Sequence, residues 1–236
     1  MPSIYTPQLD CLTTNITLEG EEYHHLCHVK RIGIGQIIKL NNGQGIIAEA
    51  KITSINKRCI EIEITSQTTF LPPFRPCAIA FALLKNKHDE LLVEKCTELG
   101  VTTFFPLVTE HSVRTSSANT LSRFEKIALA AIKQCDNPFL PVFSAANSLE
   151  KALYDIMDKG FSPILCSELK PESSITNLDK TIQPCFLIGP EGGWSPNEFE
   201  LFARLNIPSI SICKLITRAE TAAIAVAAQF AMTTLS

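Results

Sequence analysis

The stretch TTFLPPFRP (68–76) constrains this chain more than any other segment. Three of the five residues from 72 to 76 are proline, and proline lacks the N–H that a helix interior or a central strand needs. The segment reads as an extended linker, and the texture of the chain changes across it. Before it the pattern is strand-rich. Strands are predicted at 36–40 and 45–55, flanking Asn41, Asn42 and Gly43, whose Asn-Gly pair suits a hairpin turn. Residues 59–65 alternate Ile60, Ile62 and Ile64 with Glu61 and Glu63, the pattern of a half-buried strand. A helix is predicted over 19–29. Together these imply a small β-barrel-like domain at 1–70, joined by 71–77 to a second domain at 78–236.

Beyond the linker, short apolar runs alternate with helical spacing. Strands are predicted at 78–84, 102–108, 163–166, 185–188 and 209–212. Helices are predicted at 89–99, stopped by Gly100, and at 120–134, 196–205 and 221–234. Strand and helix in alternation make an α/β domain with a mostly parallel sheet covered on both faces. Hydrophobic residues make up 45% of the chain, which leaves ample material for such a core.

Composition excludes several classes. No apolar run approaches the roughly 18 residues that span a bilayer, so no membrane association is expected. Residues 1–5 do not begin a basic-then-apolar leader. The nine cysteines are odd in number and never form a C-x-x-C pair, which argues against a disulfide framework or structural zinc and for a reducing, cytoplasmic setting. His24, His25 and His28 cluster, and His24 and His28 could share a helical face, but no carboxylate or Cys joins them in a matching pattern, so no metal is expected. A net charge of −3 carries no signature of phosphate binding. Any contact with nucleic acid must rest on local basic patches.

Two segments carry chemistry. In CFLIGPEGGWSP (185–196) an apolar strand enters a glycine turn, and Ser195 followed by Pro196 is a good helix start. Ligands of open α/β sheets bind beyond the carboxyl ends of strands, where glycine lets the backbone come close. Taken alone, the segment is equally a tight connection that binds nothing. It is neither a Walker loop nor a Gly-x-Gly-x-x-Gly dinucleotide loop. In ICKLITRAETA (212–222) a strand end leads through a polar loop into an alanine-rich helix. Glu220 in its first turn suits the helix dipole, a structural role that suffices for a lone carboxylate. The small residues of that helix fit either close core packing or a subunit contact.

"IGPEGGWSPNEF" followed by "ITRAETA" resembles the signature of the ribosomal RNA small subunit methyltransferase E family of the SPOUT superfamily. "HHLCHVKRIGIGQIIKLNNGQG" is similar to that family's N-terminal PUA-like domain. "EKCTELGVTTFFPLVTEHSV" and "KIALAAIKQC" are similar to its central segments. The resemblance implies an α/β fold with a C-terminal trefoil-knotted methyltransferase domain behind a smaller PUA-like β-barrel. It implies a homodimer formed through the knotted domain, S-adenosyl-L-methionine as cofactor with S-adenosyl-L-homocysteine as product, and methylation of uridine N3 in 16S rRNA, free or in the 30S subunit.

The resemblance also implies site residues. The cofactor would lie bent among three loops, held largely by backbone groups. These loops contribute Leu83 and Leu84; Leu187, Ile188, Gly189, Glu191, Gly192 and Gly193; and Ile212, Leu215, Ile216 and Thr217, with Thr221 beside them. Arg218 would stabilise charge on the uracil oxygens, Glu220 would orient or act as base, and Glu191 is a second candidate base. Lys30, Arg31, Lys85 and Arg114 would contact RNA. The chain departs from the family where relatives carry more arginine: at His28, over 136–139, and before Arg218, where Ile212, Cys213 and Leu215 stand. Two alternatives stay open: an RNA-binding ribosome-assembly protein of this fold without turnover, and a SPOUT methyltransferase acting on another RNA.

Overall fold

The computed structural model describes residues 2–24, 26–27, 32–112, 118–167 and 173–234. The chain divides into two compact units, residues 1–72 with 129–140 and residues 73–128 with 141–236.

In the first unit, β1 (Ile4–Tyr5), β2 (Asn15–Glu19), β3 (Ile37–Asn41), β4 (Ile46–Ile55) and β5 (Cys59–Thr69) form one sheet in the order β1-β3-β4-β5-β2. β3, β4 and β5 pair antiparallel in succession, while β1 joins β3 in parallel. Alternation along β4 and β5 sends Ala48, Ala50, Ile52, Ile60 and Ile62 to the core and their charged neighbours outward. β5 runs on to Thr69, so the strand takes the first two residues of the proline segment. The turn after β3 is longer than a two-residue hairpin. The Asn42 carboxamide accepts from the N–H groups of Gln44 and Ile46, and Gly43 and Gly45 both adopt positive φ. The helix predicted over 19–29 is described only as α1 (Gly20–His24); His25 and 28–31 lie outside the described residues.

The second unit has a parallel sheet of β6 (Ala78–Ala82), β7 (Thr103–Val108), β8 (Val142–Phe143), β9 (Asn147–Ser148), β10 (Ser162–Cys166), β11 (Ser173–Ser174), β12 (Pro184–Ile188) and β13 (Ser209–Ser211). Its order is β11-β13-β10-β12-β6-β7-β8, with β9 also on β7. Every residue of β6 and β12 is buried, as expected of parallel strands covered on both faces. Phe81, Phe104, Phe124 and Phe143 pack ring against ring on one side. On the other, α4 (Leu149–Asp158) lays Leu149, Ala152, Leu153 and Ile156 into a core shared with Phe105 and Leu187.

The remaining helices are α2 (His88–Glu98), α3 (Ala118–Cys135), α5 (Pro196–Arg204) and α6 (Ala219–Thr233). α2 packs on α6, whose Ala223, Val226, Ala227 and Phe230 are buried. No helix among the described residues is long and apolar enough to cross a membrane.

Candidate active site

A cavity of about 780 Å³ opens at the carboxyl ends of β6, β10, β12 and β13, four neighbours in the parallel sheet. Its floor is therefore made of loops, the usual place for a ligand in such a fold. Two walls of different construction face it.

The first wall is the turn after β12. Ile188, Gly189, Pro190, Glu191, Gly193 and Trp194 line the cavity. Gly193 needs its positive φ of 73°, and a Cβ on Gly189 would stand 3.0 Å from the Trp194 indole. The Glu191 carboxylate accepts from the Lys85 N–H at 3.0 Å, tying the turn to the loop after β6. His111 Nδ1 lies 3.0 Å from the Gly193 carbonyl oxygen. The wall then enters α5 through a capping box, in which the Glu198 N–H donates to Ser195 Oγ while the Ser195 N–H donates to the Glu198 carboxylate. Glu198, only 5% exposed, also accepts from the Glu110 N–H. Hydrogen bonds from the Asn197 amide and then the Ser195 hydroxyl hold the Glu110 carboxyl below the usual carboxylate range.

The second wall is the loop 212–217 with the first turn of α6. Ile212, Cys213, Leu215, Ile216, Thr217, Arg218, Ala219 and Glu220 line the cavity from this side. The Gln229 amide donates to the Ile212 carbonyl and anchors the loop at its base. Beyond that, Leu215 and Ile216 are 77% and 83% exposed. Arg218 is the N-cap residue of α6, and its side chain is exposed with no ion-pair partner among the described residues. Glu220 is buried, and its carboxylate lies 3.1 Å from His88 Nδ1 at the start of α2.

The structure brings together most of the site residues named from the sequence. Arg218, Glu220, Glu191, Ile188, Gly189, Gly193, Ile212, Leu215, Ile216, Thr217 and Lys85 all border one cavity. Leu187, in β12, and Leu83 and Leu84, just after β6, are instead buried without lining it, and Gly192 and Thr221 are exposed without lining it. Lys30, Arg31 and Arg114 lie outside the described residues. Sequence reasoning missed His88, Asn86, Ser167 and Phe199, which also line the cavity. His88 falls in the loop expected after the strand predicted at 78–84, but nothing local marked it out. Asn86 and Lys87 both take positive φ, 52° and 63°, and this tight turn starts α2 at His88. Among the described residues, no group of three or more His, Cys, Asp or Glu is arranged to hold a metal ion.

Comparison with known proteins places this geometry. The family model of the RNA methyltransferase domain matches residues 72–231, and that of the RNA methyltransferase PUA domain matches residues 18–65. The ribosomal RNA small subunit methyltransferase E of Rickettsia conorii is 30% identical over 233 residues, covering 92% of this chain and 91% of its own. The chain belongs to the ribosomal RNA small subunit methyltransferase E family. The family member from Synechocystis is 29% identical, covering 89% of this chain and 71% of its own. A crystal structure of the family member from Neisseria gonorrhoeae, bound there to S-adenosyl methionine, superposes with a TM-score of 0.89 at 24% identity. The match covers 99% of this chain and 98% of that one, and it establishes a shared fold. As a member of this family the chain is an RNA methyltransferase, and the cavity lies wholly in the matched methyltransferase domain.

Proposed function

We propose that this chain uses S-adenosylmethionine to methylate N3 of a uridine in 16S rRNA, acting as a cytoplasmic homodimer joined through its C-terminal, knotted domain. In this reading residues 1–70 recognise RNA, 71–77 are the linker and 78–236 are catalytic. The observation that carries the proposal is the cavity, which gathers the glycine turn, the apolar loop, Arg218 and Glu220 at the ends of four parallel strands.

The residues present fit the cofactor. A volume of about 780 Å³ is in the range of nucleoside-sized sites. One wall keeps its backbone bare at Gly193, where a Cβ would meet nothing, and the other leaves Leu215 and Ile216 uncovered for an apolar ring. Ile188, Gly189, Ile212 and Ile216 would hold it, with Leu83, Leu84 and Leu187 supporting from behind. Bound S-adenosylmethionine supplies an activated methyl group, so the protein's task is binding, orientation and electrostatics.

Uracil N3 is a poor nucleophile until its proton leaves, and charge then spreads onto the ring oxygens. Arg218, exposed at the cavity, is suited to meet that charge. Glu220 is the buried carboxylate beside it. Glu191 spends one oxygen on the Lys85 N–H and serves the loop more than the proton. Lys85 lines the cavity and would meet an RNA phosphate, with Lys30, Arg31 and Arg114 as the further RNA contacts.

The test is nucleoside mass spectrometry of small-subunit RNA from cells with and without the protein. It is joined to calorimetry with S-adenosylhomocysteine and to light scattering for mass in solution. N3-methyluridine that appears only with the protein supports the proposal. A different methylated nucleoside points to another RNA or base, and cofactor binding without methyl transfer points to an assembly role. A monomer in solution removes the dimer from the proposal.

A further inference from the structure

We infer that His88 is the base that takes the uridine N3 proton, with Glu220 as the positioning residue that holds its ring; this rests on the uridine-N3 reading above. His88 Nδ1 and Glu220 Oε1 are 3.1 Å apart, their side chains 32% and 10% exposed. Both residues line the cavity, in company with Arg218. The pair joins the first turn of α2 to the first turn of α6.

The chemistry follows from hydrogen-bond inventory. A carboxylate offers only acceptor lone pairs, so Nδ1 carries the proton in this pair. The neutral imidazole then keeps its lone pair on Nε2. Among the described residues no group donates to Nε2. Glu220 is poorly placed to take the proton itself, since it is buried and already engaged by His88. Glu191 is exposed but accepts from the Lys85 N–H. The other charged groups around the ring are Lys85, Glu191 and Arg218 on the cavity, with Lys87, Asp89 and Glu90 flanking it along the chain. The Asp89 carboxylate accepts from the Glu90 N–H. The arrangement orients one imidazole nitrogen with a buried acid and leaves the other for the substrate, a division of labour seen in carboxylate–histidine pairs generally.

The step balances. The N3–H proton passes to His88 Nε2, and the N3 electron pair forms the new bond to the methyl carbon. The methyl–sulfur bond breaks, and its electron pair stays on sulfur as the neutral thioether. His88 leaves the step as imidazolium beside the Glu220 carboxylate and returns its proton to water.

Four measurements on the full chain test this. In single turnover with small-subunit RNA, H88Q should form N3-methyluridine about 10²–10³-fold more slowly, the usual reach of a general base. Its affinity for S-adenosylhomocysteine should stay within about threefold, and the acid limb of its rate–pH profile should flatten. Nitrogen-15 spectra of the histidines, with His88 assigned through H88Q, should show Nδ1 protonated and Nε2 bare in the wild type, and this preference should weaken in E220Q. An H88Q rate within threefold of wild type, equal loss of rate and affinity, or an Nε2-protonated ring would each overturn the inference. Wild type that makes a nucleoside other than N3-methyluridine removes the functional reading and the inference with it. Wild type that makes N3-methyluridine beside an indifferent H88Q removes the inference alone.

Discussion

The two walls of the cavity are built on opposite principles. The turn after β12 is stitched at nearly every residue: Glu191 to Lys85, Gly193 to His111, Gly189 against Trp194, and Ser195 and Glu198 to each other. The loop 212–217 is anchored at Ile212 by Gln229 and then presents Leu215 and Ile216 to solvent. Both walls follow strands of one sheet, so the difference lies in the loops. A stitched wall is already in its working shape and loses little entropy on binding, whereas an uncovered apolar wall gains by being covered. On the proposed function, the first wall would set geometry, and the second would supply affinity and reach the reacting base through Arg218.

The largest effect that would sharpen this division is at Arg218. Arg218→Ala should slow methyl transfer by about 10²–10³-fold, the scale of losing a charge-stabilising donor, and leave cofactor affinity almost unchanged. Equal losses of rate and affinity would assign Arg218 to the cofactor and blur the division. On the stitched wall the effect should appear as stability instead. Glu198→Ala orphans the N–H groups of Ser195 and Glu110 and should cost about 2–3 kcal/mol in urea unfolding, because both bonds are made to a buried charge. A midpoint unchanged by that substitution would mean the wall is not held as described.

How much of this was legible beforehand depends on the kind of signal. β5 and the fully apolar β6 and β12 were readable because period and continuity mark a face directly. The strand–turn–helix of the first wall was readable too, since Ser195 and Pro196 write a helix start in local code, to which the structure adds Glu198. α4 was not read, although Leu149, Ala152, Leu153 and Ile156 fall at helical spacing and are buried. β2 offered only Ile16 and Leu18 as buried positions, too few to fix a period. Residues 129–140 group with the first unit, yet the amphipathic pattern of α3 says only that one face is buried and not against which core. His88 was invisible for a deeper reason. Its meaning comes from Glu220, which the topology of α2 on α6 brings to it from far along the chain.

Smaller effects would probe the walls one contact at a time. Gly189→Ala puts a methyl 3.0 Å from the Trp194 indole, whose ring stands edge-on to Phe202 at 5.0 Å. Moving that ring should cost about 1–2 kcal/mol of stability, as overpacking does, and weaken S-adenosylhomocysteine binding in calorimetry. Ile216→Ala should behave inversely. With the side chain 83% exposed, folding stability should not change, while affinity falls about three- to tenfold as apolar surface that the ligand would cover is lost. If Ile216→Ala lowers stability and leaves affinity intact, the second wall is structural and the contrast between the walls fails.

The smallest expected effect concerns the turn that joins β6 to α2. Lys87 is the N-cap residue of α2, holds φ at 63°, and makes no side-chain capping bond there. A lysine in the left-handed region carries a backbone cost that glycine avoids. Glycine, however, adds entropy to the unfolded chain, which offsets part of the gain. Lys87→Gly should therefore stabilise the protein by no more than about 1 kcal/mol. The same substitution loosens the segment that delivers His88 to the cavity. Any gain in the melting midpoint should come with a modest fall in methyl-transfer rate and no change in cofactor affinity. Such a split would mean that strain at Asn86 and Lys87 is kept to hold His88 in register with Glu220. A variant more stable and equally fast would mean the turn merely connects β6 to α2, and that the precision of the site resides in the wall after β12 alone.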